Sequence, residues 1–180
     1  MNRTPVSWRT RANAITASRL GAAPLLGLAV LCDAPLAAAA IFAWAVASDF
    51  ADGAVARRRG ESSALGGFLD HASDACFVAC GLAALAAAGV LTPLLPILVA
   101  LAFAQYALDS RVADGAPLRA SALGRWNGIA YYVMLGVPLI RDALGLGWPP
   151  PALVRALSWA LVGSTVLSMA DRAQASLRLR

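Results

Sequence analysis

The stretch "DFADGAVARRRGESSALGGFLDHASD" (Asp49–Asp74) carries four aspartates and three consecutive arginines inside a chain of 180 residues that is 59% hydrophobic and only 14% charged. Asp49, Asp52 and Ala56 stand at i, i+3 and i+7, within about 60° of one another around a helix. Gly66, Asp70 and Asp74 follow in two steps of four, again on one helical face. The segment between them, Arg58 to Ala64, is too short to separate two helices widely. The spacing therefore predicts an antiparallel helix pair whose acidic faces meet at one end.

Outward from this hairpin the chain is mostly apolar, and its charged fraction lies far below the roughly one quarter usual for soluble domains. Apolar runs recur at Ile15–Leu31, Pro35–Val55, Phe68–Val90, Pro93–Leu108, Leu123–Ile140 and Pro151–Met169. Each approaches the ~20 residues that a helix needs to cross the hydrocarbon core. The breaks "CDAP" (Cys32–Pro35), "GVLTP" (Gly89–Pro93) and "GLGWPPP" (Gly145–Pro151) are Gly/Pro punctuation with no room for a soluble domain. The expected fold is all-α: a polytopic bundle of six transmembrane helices forming one membrane domain over residues 1–180. The first run has no small-residue cleavage site ahead of a soluble region, so it is expected to stay as the first helix. The segment before it, "RTPVSWRTRANAIT" (Arg3–Thr16), mixes arginine with Trp8 and suits a short interfacial stretch.

Every basic residue is arginine. Arg3, Arg9, Arg11, Arg57–Arg59, Arg111, Arg119, Arg172, Arg178 and Arg180 fall on one side of the six-span arrangement, and Arg141 and Arg155 on the other. By the positive-inside rule the termini and the acidic hairpin end face the cytoplasm. The formal charge of +5 is then explained by topology and anionic headgroups rather than by nucleic acid. Cys32, Cys76 and Cys80 imply no disulfide framework. Cys76 and Cys80, one turn apart, read as small packing residues rather than soft metal ligands with His71. His71, about 100° around the helix from Asp70, reads as a headgroup-level or packing residue.

Four carboxylates facing one another cannot all stay ionised without counter-charge, because like charges a few ångströms apart disfavour ionisation. Arg57 supplies one cation, while Arg58 and Arg59 point elsewhere and reach for headgroups. Oxygen-only donors favour hard divalent ions, Mg²⁺ first and Mn²⁺ second, and two ions balance four carboxylates. Such a pair commonly clamps a phosphoryl or pyrophosphoryl group. Gly53, Ala56 and Gly66 leave the cleft walls bare for a bulky nucleotide diphosphate, and Arg57 is placed to pair with phosphate.

The full spacing, D-x2-D-G-x2-A-R-x8-G-x3-D-x3-D over Asp49, Asp52, Gly53, Ala56, Arg57, Gly66, Asp70 and Asp74, resembles the signature of the CDP-alcohol phosphatidyltransferase family at every fixed position. The resemblance implies that Asp49 and Asp70 bridge two metal ions, that Asp52 completes one, and that Asp74 contacts the other and acts as general base. It implies further that Gly53, Ala56, Arg57 and Gly66 line the CDP site, with Ser63 in the connecting loop beside them. "NAITASR" (Asn13–Arg19) looks like the family's N-x-x-T-x-x-R element, which implies that Asn13 and Thr16 help hold the nucleotide. Many relatives carry Pro before that Asn, where this chain has Ala12.

The activity so implied is transfer of a phosphatidyl group from CDP-diacylglycerol to an alcohol, with release of CMP, in phospholipid biosynthesis at the cell inner membrane. "LGRWNG" (Leu123–Gly128) looks like the Gly-Lys element of relatives that accept phosphorylated alcohols, with Arg125 in the place of Lys. Arg125 with Arg111, Arg119 or Arg172 would grip an acceptor phosphate, and glycerol 3-phosphate is favoured over serine and inositol derivatives. The resemblance also implies a homodimer. Two other classes use acids in membranes: prenyltransferases acting on a lipid pyrophosphate, and small ion or proton transporters. The first typically has more spans and two Asp-rich motifs, whereas this chain has one. The second needs acids near mid-membrane, whereas these lie at helix ends marked by Arg57–Arg59.

Overall fold

The computed structural model describes the backbone of residues 11–59, 64–109 and 122–178, and side chains within 18–49, 67–108 and 122–175. Six helices and no strands occur among them: α1 (Arg11–Leu31), α2 (Pro35–Arg59), α3 (Ala64–Ala87), α4 (Leu94–Asp109), α5 (Ala122–Ala143) and α6 (Pro151–Arg178). Each coincides with one predicted apolar run. The helices outlast the runs at the acidic end, where α2 continues to Arg59 and α6 to Arg178. Hydropathy marks where a helix would leave lipid, not where its backbone hydrogen bonding stops.

Pro35 and Pro151 open α2 and α6 at the position where a missing N–H costs nothing. At the ends of α1, α3 and α5 the chain closes in the same way. Val90 N–H donates to Leu85 C=O and Gly89 N–H to Ala86 C=O; the same pair of bonds recurs from Leu146 to Arg141 and Gly145 to Asp142, and from Ala34 to Ala29 and Asp33 to Val30. The motif needs one residue in the left-handed region, supplied by Gly89 (φ 76°), Gly145 (φ 61°) and Asp33 (φ 51°). All three reversals lie at one end of an up-and-down bundle. Arg155 Nη2 caps the α3 end by donating to Gly89 C=O at 2.8 Å, and Arg141 ties to Asp142 and to Pro149 C=O. The two arginines on the side opposite the acidic hairpin thus hold helix ends together.

α1 packs most extensively on α3, with α2 on its other flank, and α5 joins α2 to α6. Leu26, Phe77, Leu82, Leu95 and Leu135 are fully enclosed. Three helices meet at Gly81: a Cβ there would stand 2.7 Å from Leu135 Cδ1 and 2.9 Å from Leu26 Cδ2. Gly81→Ala forces both leucines to shift, and is expected to destabilise the bundle by about 1–3 kcal/mol, read as a lowered thermal midpoint in detergent.

Around its apolar core the bundle buries several polar groups and leaves many large apolar ones exposed. Its interior holds Arg19, Ser73, Thr92, Asn127, Ser158 and Thr165, while Leu25, Leu28, Trp126, Ile129 and Leu167 stand more than half exposed. Interior pairs such as Ser164 Oγ–Asn127 Oδ1 (2.6 Å) and Tyr131 Oη–Thr165 Oγ1 (2.8 Å) tie α5 to α6 by hydrogen bonds. Membrane helices associate in this way because lipid offers their apolar faces no penalty. By length and composition two helices can cross a membrane, over Gly67–Ala87 and Pro151–Ala175; Ser18–Leu31, Pro35–Asp49 and Leu94–Leu108 are shorter apolar helices.

Candidate active site

The hairpin of α2 and α3 brings Asp49, near the end of the apolar part of α2, against Asp70 and Asp74 in the first turns of α3. One oxygen from each of the three lies within 4.8 Å of the other two. Their side chains remain partly open, Asp49 at 47%, Asp70 at 39% and Asp74 at 24%. The α3 backbone is fixed locally by Ser73, which donates to Asp70 C=O at 2.8 Å.

Among the described residues, the cation set among these carboxylates comes from a helix outside the hairpin; the side chain of Arg57, the cation that the hairpin spacing offers, is outside them. Arg19 of α1 is fully buried, with Nη2 donating to Asp70 Oδ1 at 2.8 Å and Nη1 reaching Asp49 Oδ1 at 3.2 Å. Nη1 also donates to Asp74 Oδ1. Charge-assisted contacts of this kind compensate the desolvation of a buried guanidinium, and the planar fork lets one side chain serve three acids. Arg19 is not among the site residues that the hairpin spacing singles out. Two signals pointed to it: Arg19 is the last position of the N-x-x-T-x-x-R element (Asn13–Arg19), and it is an ionisable residue inside the apolar run Ile15–Leu31, a position where charge is expensive and functional.

Asp74 also lines a cavity of about 500 Å³ between α3, α4, α5 and α6, whose wall includes His71, Tyr106, Arg125, Tyr132 and Arg172. The Arg172 guanidinium lies 4.6 Å over the Tyr106 ring, on which His71 also stacks with centroids 6.0 Å apart. Gln105 closes the α4–α6 wall by donating to Met169 C=O at 3.0 Å. His71 thus packs against an aromatic ring, and among the described residues it forms no ligand cluster with Cys76 and Cys80. Cys32, Cys76 and Cys80 are exposed free thiols, and the acidic centre contains none of them.

Of the residues expected at the site, Asp49, Asp70 and Asp74 are brought together, and Arg125 and Arg172 share the neighbouring cavity with Asp74. Asn13 and Thr16 lie on α1, Asp52, Gly53, Ala56 and Arg57 on α2, and Gly66 on α3; their side chains are outside the described residues. Ser63, Arg111 and Arg119 fall wholly outside them.

The donor set fits a divalent ion: three convergent carboxylate oxygens, partly open, with neither His nor Cys among them. No curated protein sequence matches the chain. A family match, however, runs over residues 9–169 and so spans α1 through most of α6: CDP-alcohol phosphatidyltransferase. With the acidic hairpin and its match in agreement, the chain belongs to the CDP-alcohol phosphatidyltransferase family, membrane-associated and divalent-metal-dependent enzymes that transfer a phosphatidyl group from a CDP-alcohol to an alcohol acceptor.

Proposed function

We propose that this chain is a six-span enzyme of the inner membrane with cytoplasmic termini, which moves the phosphatidyl group of CDP-diacylglycerol onto a polar phosphorylated alcohol, glycerol 3-phosphate foremost. The observation that carries this reading is the convergence of Asp49, Asp70 and Asp74 beside a cavity that Arg125 and Arg172 also line. Asp49, Asp52, Asp70 and Asp74 are the residues to hold two Mg²⁺ ions, with Mn²⁺ a substitute; when bound, the ions supply charge neutralisation for a pyrophosphate. Asn13, Thr16, Gly53, Ala56, Arg57, Ser63 and Gly66 hold the CDP moiety.

Asp74 touches both the acidic centre and the cavity, the position required of a base that receives an acceptor's proton. Its carboxylate takes the hydroxyl proton as the hydroxyl oxygen bonds to the lipid-side phosphorus. The bond from that phosphorus to the bridging oxygen breaks, and CMP leaves with the electron pair. Arg125 and Arg172, with Arg111 and Arg119 from the neighbouring segment, orient the acceptor by its phosphate. A homodimer through α3 accords with the exposed small residues Cys76, Cys80, Ala83 and Ala87, spaced four, three and four apart on one helical face.

The test is CMP release from CDP-diacylglycerol by purified protein with Mg²⁺ and a panel of alcohols. Phosphorylated acceptors are expected to turn over well above their unphosphorylated counterparts. Arg172→Gln is expected to raise the acceptor KM about tenfold or more while leaving kcat near wild type, as loss of a charge-assisted contact made in ground and transition states alike. Absence of CMP with every acceptor, accompanied by prenyl transfer or ion flux, sinks the reading.

A further inference from the structure

The three carboxylates that suit a divalent ion are the same three that hold Arg19. The guanidinium takes Oδ1 of each, Nη1 serving Asp49 and Asp74 and Nη2 serving Asp70. It reaches them from α1, the helix most extensively packed on α3, so its place is set by helix packing rather than by the hairpin that carries the acids. We infer that Arg19 is the resident counter-charge of the acidic centre, and that it competes with divalent cations for these oxygens. The inference rests on the acidic centre being a metal site, and adds that this chain weakens its own metal affinity with a built-in cation.

The physical case has two parts. Three carboxylates at this separation repel one another, and a cation fixed among them lets the centre stay assembled when no divalent ion is bound. That same fixed charge repels an incoming ion and engages oxygens the ion needs, so metal binding is offset by the loss of the Arg19 contacts. A lysine ammonium is a compact charge that does not reproduce the planar two-nitrogen reach to three acids. Arg19 acts on the metal rather than on substrate and is therefore a positioning residue.

The test uses the full-length chain in detergent, stripped with EDTA, with Mn²⁺ alone as the probe and free Mn²⁺ followed by electron paramagnetic resonance. Arg19→Gln is expected to bind Mn²⁺ at least tenfold more tightly than wild type. Its thermal midpoint is expected to fall in EDTA and to recover toward wild type at saturating Mn²⁺, because the ion takes over the neutralising role. Arg19→Lys is expected to fall between the two in Mn²⁺ affinity, and decides the question if Arg19→Gln gives no folded protein. A residue that merely ties α1 to α3 lowers the midpoint equally with and without Mn²⁺ and leaves the affinity unchanged. That outcome, or weaker binding in either variant, overturns the inference while leaving the proposed function intact. Failure of wild type and variants alike to bind Mn²⁺ overturns both.

Discussion

Asp70→Asn is expected to abolish CMP release, by about 10⁴-fold or more, together with Mn²⁺ binding. The substitution removes a charge from a centre built on three convergent carboxylates, and metal assistance to phosphoryl chemistry accounts for several kcal/mol of transition-state stabilisation. It also leaves Arg19 Nη2 with a neutral amide oxygen in place of a carboxylate, so one of the ties between α1 and α3 loses its charge assistance. Two readouts are needed to assign the loss. Mn²⁺ stoichiometry should drop with activity, while the thermal midpoint in EDTA should change little, since one fewer carboxylate leaves less repulsion for the remaining contacts to offset. A variant that keeps full metal stoichiometry and wild-type turnover would remove Asp70 from the centre.

Asp74→Asn is expected to behave differently. Asp74 is the least exposed of the three acids, at 24%, and also lines the neighbouring cavity. Removing a positioned base lowers turnover by about 10²–10⁴-fold. Nucleotide affinity should suffer far less, because Asp49 and Asp70 still offer oxygens to the metal. The expected pattern is a collapse in kcat with CDP-diacylglycerol binding retained to within about tenfold, measured by calorimetry in the absence of acceptor. Equal losses in binding and turnover would place Asp74 with the metal alone and leave the base elsewhere.

The contrast between these substitutions bears on what the sequence made legible. The length of the apolar runs and Gly/Pro punctuation located the six helices seen among the described residues, since each run meets such a break at one of its ends, as at Gly89 and Gly145. The acidic hairpin was legible because its residues are close in sequence, so helical geometry alone aligns Asp70 with Asp74 and turns both toward Asp49. Arg19 was legible as the last position of the N-x-x-T-x-x-R element, but its place among the acids was not, since it stands 51 residues from Asp70 and 55 from Asp74 and its meeting with them depends on how α1 docks on α3. The cavity was legible only in fragments. Its wall draws on α3, α4, α5 and α6, and no local spacing announces that His71, Tyr106 and Arg172 will stack in succession.

The acidic centre draws on α1, α2 and α3, whereas the cavity wall draws on α3, α4, α5 and α6. α3 is the helix common to both, and Asp74 the acid common to both. A slide of α3 along its own axis would therefore move carboxylate and cavity together, so that neither can be repositioned without the other.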